Sequence, residues 1–394
     1  MIYLNNAATT YPKPECVKKA VEQTIALPPS AQFRTYSGGT DQNSGNFSLP
    51  SDVIGECKKR LADFFHISDA RRIYFTSGAT QAMNRIVRGL CLDGAHVVIT
   101  QNEHNAVLRT IYNIPRNVSV SVAPCDSLGR LRLSALQEMI TPDTAAVFVN
   151  HCSNVTGAVA PLAKISEMAH RNGSLLIVDA SQSAGVLPVD VEETGIDILC
   201  FTGHKGLYGI QGIGGFYVRE GVSFSLSEFG GTGIDSHTVK FEHVHELSQM
   251  EVGTQNEPGI AGLLAGLTFL DETGRRTIWD KEQALLAQLM DGMNHLTNQY
   301  PTCGLTCYCA GQAPVLSFTM DTMRPQDIGY LLAHSFDITV RTGLHCAPLI
   351  HRAMGTERDG TVRVSLSYFN TEEDVKFFLD AVTQIVEASS GRRA

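Results

Sequence analysis

Lys205 closes the run Phe201-Thr202-Gly203-His204-Lys205, which follows an apolar, β-branched stretch from Ile196 to Phe201. That stretch predicts a strand, and glycines at 206, 209, 212, 214 and 215 predict a tightly turned return from it. A lysine fixed at a strand end, between a hydroxyl and a histidine, is placed to offer its amine to an aldehyde. The reaction needs the unprotonated amine, and burial beside other positive charge lowers a lysine pKa toward that form. A lone lysine in a glycine-rich loop is more often a surface residue, so the chemistry depends on what converges with it.

Asp179 is the first such partner. It ends Leu175-Leu176-Ile177-Val178-Asp179, and four consecutive apolar residues predict a strand buried on both faces, as in a parallel sheet. An aspartate at the carboxyl end of such a strand faces the crevice where open α/β sheets bind ligands. An amine and a carboxylate so placed are what pyridoxal phosphate requires. The lysine takes the aldehyde, and the carboxylate keeps the pyridine nitrogen protonated and the ring an electron sink. Gln182, three residues on, is a donor for the ring hydroxyl.

A phosphate cradle comes earlier in the chain. Ile73-Tyr74-Phe75-Thr76 predicts a strand, and Ser77-Gly78-Ala79-Thr80 the turn into a helix running to about Cys91. The orphan N–H groups and partial positive charge of a helix start suit a phosphate, with Ala79 and Thr80 in the first turn. Thr202 and His204 add donors from the lysine loop. Taken alone, Ser-Gly-Ala-Thr reads equally well as an ordinary helix cap. His104, after the strand Val97 to Thr100, and Asn154, after the strand Ala145 to Asn150, also sit at strand carboxyl ends. An imidazole at that place can stack on the pyridine face and move a proton.

With these residues in view, the chain resembles class V aminotransferase-family enzymes of the pyridoxal phosphate type I fold. Within them it is similar to group II (SUF-type) cysteine desulfurases and selenocysteine lyases. Tyr3-Leu4-Asn5-Asn6-Ala7-Ala8-Thr9-Thr10 resembles the family's opening signature, and the segments around Asp179 and Lys205 resemble its cofactor motifs. Arg341-Thr342-Gly343-Leu344-His345-Cys346-Ala347-Pro348 is similar to the loop bearing the sulfur-accepting cysteine. The chain departs from the pattern at Asn105 and Leu344, where histidines are usual, at Thr202, usually serine, and at Gly230 to Ser236.

The resemblance implies conversion of L-cysteine to L-alanine, with Lys205, Cys346 and His104 catalytic and the sulfur left on Cys346 as a persulfide. Selenocysteine is the alternative substrate; an aminotransferase of the same fold or a non-catalytic scaffold are the rival readings. The resemblance also implies that Arg363, with Asn154, holds the substrate carboxylate. Thr254 is expected to reach the phosphate of a neighbouring subunit in a homodimer, and a separate protein to accept the sulfur. On their own chemistry, His345 and Arg341 are candidates to stabilise a Cys346 thiolate. Cys303, Cys307 and Cys309 have neither zinc nor iron–sulfur spacing and read as structural, with no metal site expected.

Composition narrows the class. A net charge of −9 and a pI near 5.8 argue against a nucleic-acid partner. No apolar run is long enough for a membrane span, and the first residues lack a secretory pattern. Ten cysteines without framework spacing suggest a reducing, cytoplasmic setting. The expected organisation is an arm over 1–15, a large α/β domain with a mainly parallel sheet over 16–257, and a smaller α+β domain over 258–394, part of the N-terminal segment packing on it. The active site is expected in the cleft between them, and the tail from Ser389 is expected to fray.

Overall fold

The computed structural model describes residues 1–27, 52–225, 228–231, 239 and 250–390. The departure at Thr232 to Ser236 and the tail from Gly391 lie outside the described residues. Thirteen strands and twelve α-helices are described in chain order. The strands are β1 (Ile2–Tyr3), β2 (Ile73–Thr76), β3 (His96–Thr100), β4 (Ser119–Ala123), β5 (Thr144–Asn150), β6 (Leu175–Asp179), β7 (Ile198–Thr202), β8 (Gly214–Val218), β9 (Thr306–Tyr308), β10 (Val315–Thr319), β11 (Ile338–Thr339), β12 (Arg341–Gly343) and β13 (Thr361–Ser365). The helices are α1 (Glu15–Ala26), α2 (Val53–Phe65), α3 (Ala79–Gly89), α4 (Asn105–Asn113), α5 (Leu133–Met139), α6 (Leu162–Arg171), α7 (Val191–Thr194), α8 (Glu257–Thr273), α9 (Arg275–Gln299), α10 (Pro325–Phe336), α11 (Pro348–Met354) and α12 (Glu372–Ser390).

Seven strands form one sheet in the order β2-β8-β7-β6-β5-β3-β4. All adjacent pairs from β7 to β4 are parallel, and β8 alone runs antiparallel to both its neighbours. The central strands are continuous apolar runs because helices cover both faces, so each side chain is buried whichever way it points. The parallel order brings the carboxyl ends of β3, β5, β6 and β7 to one edge. That edge carries the polar residues singled out above. A second sheet, β12-β13-β10-β9, is antiparallel and packs with α9, α10 and α12 around its own apolar core.

The chain's beginning belongs to this second unit. β1 pairs in parallel with β11, Leu4 is wholly buried in the second core, and Asn5 bridges to Ser365. The sequence reading puts the change of domain at 257/258. α8 is apolar on nearly every side and packs against α1 and α2, with Ile260, Leu263, Leu267 and Leu270 in the large core. Apart from Leu4 of the arm, the second core takes its buried residues from Leu285 onward, so we propose that the passage between the two units lies later, within α9. The last helix starts as expected: Thr371 Oγ1 accepts from Asp374 N–H, and the Asp374 carboxylate accepts from Thr371 N–H. Among the described residues, no helix is long and apolar enough to cross a membrane.

Candidate active site

A cavity of about 340 Å³ opens at the carboxyl edge of the large sheet. Of the residues singled out from the sequence, Ala79, Thr80, His104, Asn154, Asp179, Gln182, Thr202, His204 and Lys205 all line it, with Arg341 from the second unit. Lys205 is held in a turn whose approach is fixed by Gly185. At φ +86°, a Cβ there would stand 2.0 Å from the Gly206 carbonyl oxygen, so only glycine fits. Burial pushes the Lys205 amine down to about 8; Asp179 opposes this while Arg363 and Arg341 reinforce it. About a tenth of the amine is therefore unprotonated at pH 7, against far less for an ordinary lysine, and that is the form that attacks an aldehyde.

The N-terminal arm clamps this turn. The His204 carbonyl, one peptide before Lys205, accepts from Thr9 Oγ1 (3.0 Å), Thr10 N–H (3.1 Å) and Lys13 Nζ (2.8 Å). Lys13 also donates to Thr10 Oγ1, and burial pushes its amine down to about 8. Residue type and spacing do not signal this role, because these residues act on a backbone atom 191 positions away from Lys13. Gln182, expected as a donor to a ring hydroxyl, commits one amide N–H to the Ala7 carbonyl at 2.7 Å, so it also ties the arm to the cavity wall.

His104 caps α4: its Nδ1 accepts from Ala106 N–H at 3.0 Å, which leaves the proton on Nε2. Burial foremost, then the Lys205 charge, lowers its pKa to about 4, so the ring is neutral and its face can stack on an aromatic ligand. Beneath it, Glu103 is wholly buried, accepts from Thr100 Oγ1 and Asn150 N–H, and is pushed up to about 7 by burial. His204 is likewise neutral, lowered to about 4 by burial, and its Nδ1 has no partner. Asp179 Oδ1 accepts from Ser181 N–H, which fixes the carboxylate at the cavity wall.

The thiol comes from the second unit. His345 and Cys346 both adopt left-handed backbone, at φ +49° and +60°, a conformation costing about 1–3 kcal/mol per residue unless its surroundings enforce it. The large unit enforces it. Asn154 Nδ2 donates to the His345 carbonyl and Asn105 N–H to the Cys346 carbonyl, each at 2.7 Å. Asn154, expected as a ligand for substrate, thus commits one of its two amide N–H groups to the thiol loop and keeps a buried, unpartnered Oδ1. Arg341 Nη2 donates to Cys346 Sγ at 3.2 Å, so one guanidinium spans cavity and thiol. His345 does not serve as the expected cationic partner. It is 2 % exposed, its Nε2 meets Thr361 Oγ1, and burial holds its pKa well below 6.5, leaving it neutral.

Arg363 is 0 % exposed and lies directly across the strand pair from Arg341. Its Nη1 donates to the Asn154 carbonyl and its Nη2 to Asn5 Oδ1, each at 2.9 Å, while Nε has no partner. Burial, then the Arg341 charge, lowers it to about 9. Thr254 is exposed and lies apart from the cavity. Cys303, Cys307 and Cys309 pack in or against the second core, and burial pushes the Cys307 thiol up to about 12. All ten cysteines are free thiols.

A parallel-centred sheet presenting a buried amine and a carboxylate at its carboxyl edge, with a helix start beside them, defines the fold and site of a type I pyridoxal-phosphate protein. The aminotransferase class V family model matches residues 2–378, and the chain belongs to that family. Among similar proteins are two described as probable cysteine desulfurases, each 30% identical to it. The one from Methanothermobacter thermautotrophicus aligns over 98% of this chain and 94% of its own length. The one from Mycolicibacterium paratuberculosis aligns over 99% of this chain, which spans only 56% of that longer protein. The solved apo structure of a cysteine desulfurase from Thermococcus onnurineus superposes with a TM-score of 0.85 at 28% identity, covering 98% of this chain and 95% of the other. Members of the family depend on pyridoxal phosphate. The residues here fit that group: a deprotonatable amine, an aspartate at the adjacent strand end, a neutral imidazole and an unpartnered buried His204 Nδ1 share a cavity large enough for a substituted ring and its phosphate.

Proposed function

We propose that this chain is a pyridoxal-phosphate-dependent cysteine desulfurase: L-cysteine gives L-alanine, and its sulfur passes to Cys346. The observation that carries the reading is the Arg341 bridge, which holds the Cys346 thiol beside the cavity of Lys205. Bound there, pyridoxal phosphate supplies an electron sink conjugated to the α-carbon of the amino acid. Lys205 is the residue that carries it and, once released by substrate, the base that moves the proton at Cα. Asp179 holds the proton on the ring nitrogen, His104 stacks on the ring, and the α3 start with Ala79, Thr80, Thr202 and His204 holds the phosphate.

Arg363 binds the substrate carboxylate, since a buried guanidinium held by two neutral oxygens lacks a counter-charge. Cys346 Sγ takes up the substrate sulfur. The S–S bond forms as the Cβ–S bond breaks; of the two thiol protons one ends on Cβ and one stays with the persulfide, Cα regains the proton it gave up, and the balance is L-cysteine plus thiol to L-alanine plus persulfide. Thr254, exposed on the protomer, reaches the partner's phosphate in a homodimer, and a separate protein accepts the sulfur. Ten free thiols support a reducing, cytoplasmic setting.

The test measures alanine and sulfide together from L-cysteine, with and without reductant. Wild type should give equal amounts with reductant, and Cys346→Ala should give neither above background. Full turnover of cysteine by Cys346→Ala would refute the reading. Retained activity of that variant on selenocysteine alone would make the protein a selenocysteine lyase, and amino transfer to an added keto acid would make it an aminotransferase.

A further inference from the structure

Arg363 is an unusual buried cation. Its guanidinium is shut from water, faces Arg341 across the β12–β13 pair, and rests on a backbone carbonyl and one side-chain amide. Among the described residues, the foremost charge acting on it is Arg341, which opposes its ionisation, while the Cys346 thiol and Tyr3 favour it, and its two side-chain hydrogen bonds go to uncharged oxygens. Leaving such a group without a counter-ion is costly unless an anion arrives. The side chain that decides this is Asn5.

Asn5 is fixed with care. Its backbone bridges to Ser365, two residues beyond Arg363 on the same strand. Leu4 accepts from Ser365 N–H at 2.8 Å, and Asn6 Nδ2 donates to the Ser365 carbonyl at 3.0 Å. This places Asn5 Oδ1 2.9 Å from Arg363 Nη2. An aspartate has the same shape and would make a neutral ion pair there. The amide accepts the same hydrogen bond and leaves the positive charge unspent.

We propose that Asn5 sets substrate specificity: it orients the Arg363 guanidinium through an uncharged oxygen, so that the charge is kept for the carboxylate of an α-amino acid. The enzyme thereby prefers amino acids to the corresponding amines. This inference rests on Arg363 being the carboxylate-binding residue. It concerns a residue that touches Arg363 and acts through it, so Asn5 is a positioning residue.

Three measurements test it on the holoenzyme. The first is the ratio of kcat/KM for L-cysteine over cysteamine, which has the thiol and amine but no carboxylate. The second is calorimetric binding of 3-mercaptopropionate, which has the thiol and carboxylate but no amine. The third is the melting temperature. Asn5→Asp should lower the ratio about tenfold or more, through KM rather than kcat, and weaken 3-mercaptopropionate by a similar factor, since charge-assisted bonds to a carboxylate carry about that much. Its melting temperature should rise, because the buried charge gains a partner. Asn5→Leu, which removes the orienting acceptor but leaves the Arg363 charge free, should lower the ratio by only about threefold, through cysteine alone, with cysteamine turnover unchanged. An unchanged ratio and affinity in Asn5→Asp, a lowered melting temperature in that variant, or an equal loss of preference in Asn5→Leu would each overturn the proposal. Arg363→Gln separates the two readings. If it keeps the wild-type ratio, the assignment of Arg363 fails; if it loses the ratio while Asn5→Asp does not, only the role of Asn5 fails.

Discussion

Glu282 offers the most quantitative test of the interior behind Lys205. It projects from α9 with 3 % exposure, takes a hydrogen bond from Tyr208 Oη on Oε1, and has no partner on Oε2. It lines a second cavity of about 30 Å³, together with Lys205, Tyr208 and Ser367, whose Oγ is also unpartnered. That space holds one or two waters and no more. Burial pushes the Glu282 carboxyl up to about 8. The unfolded chain ionises this glutamate near 4.5, whereas the folded chain keeps its proton until about pH 8. Between those values the unfolded state binds fewer protons, so stability falls as pH rises, by about 1.4 kcal/mol per pH unit, and levels off above pH 8. The whole loss is about 5 kcal/mol. Glu282→Gln keeps the acceptor for Tyr208 and cannot ionise, so it should remove this loss. About 3.5 kcal/mol of it falls between pH 5 and pH 8, so with an unfolding entropy of about 0.8 kcal/mol per degree for a chain of 394 residues the variant should gain about 4 °C on wild type over that window. Glu103, pushed up in the same sense, is present in both proteins and cancels in the difference. Melting temperatures at pH 5, 6.5 and 8 decide the matter. Parallel curves would mean that the carboxyl is already ionised in the folded state and that the burial argument is wrong.

The clamp on the lysine turn predicts that Lys13→Met weakens pyridoxal phosphate binding by about tenfold, as loss of one charged hydrogen bond would, with Lys13→Arg restoring it. Titration of the cofactor-free chain followed by tryptophan fluorescence reads this, and equal affinities would refute it. Gly185→Ala, whose new Cβ overlaps the Gly206 carbonyl, should displace the Lys205 turn. The expected result is a fall of a few degrees in melting temperature and loss of the yellow absorbance of lysine-bound cofactor; an unaltered spectrum would show that the turn absorbs the overlap.

The large sheet was legible because its strands are buried on both faces. Runs such as Leu175 to Val178 have no polar alternation to confuse, and the residue ending each run must then lie at the sheet's carboxyl edge. That logic found Asp179, His104, Asn154 and Lys205 together, and all four line one cavity. The logic failed where a residue's role depends on what packs around it. α8 is apolar all round, so its composition could not say which core it would join. His345 looked like a cation beside a thiol by type and spacing, yet full burial makes it neutral and turns it toward Thr361. Asn154 lies in the crevice as expected, and the further task of its amide, a hydrogen bond to a carbonyl of a loop 191 positions later, could not be read from its neighbours in the chain.

The same physics explains how two units share one site. The thiol loop is strained on its own terms, and the hydrogen bonds that hold it come from Asn105 and Asn154 of the large unit. The lysine turn belongs to the large unit, and the clamp on its carbonyl comes from an arm anchored in the second unit through Leu4, Asn5 and Asn6. Each unit thus finishes the reactive element of the other. A change that loosens their contact should therefore impair cofactor attachment and thiol placement together, even when it lies in neither cavity.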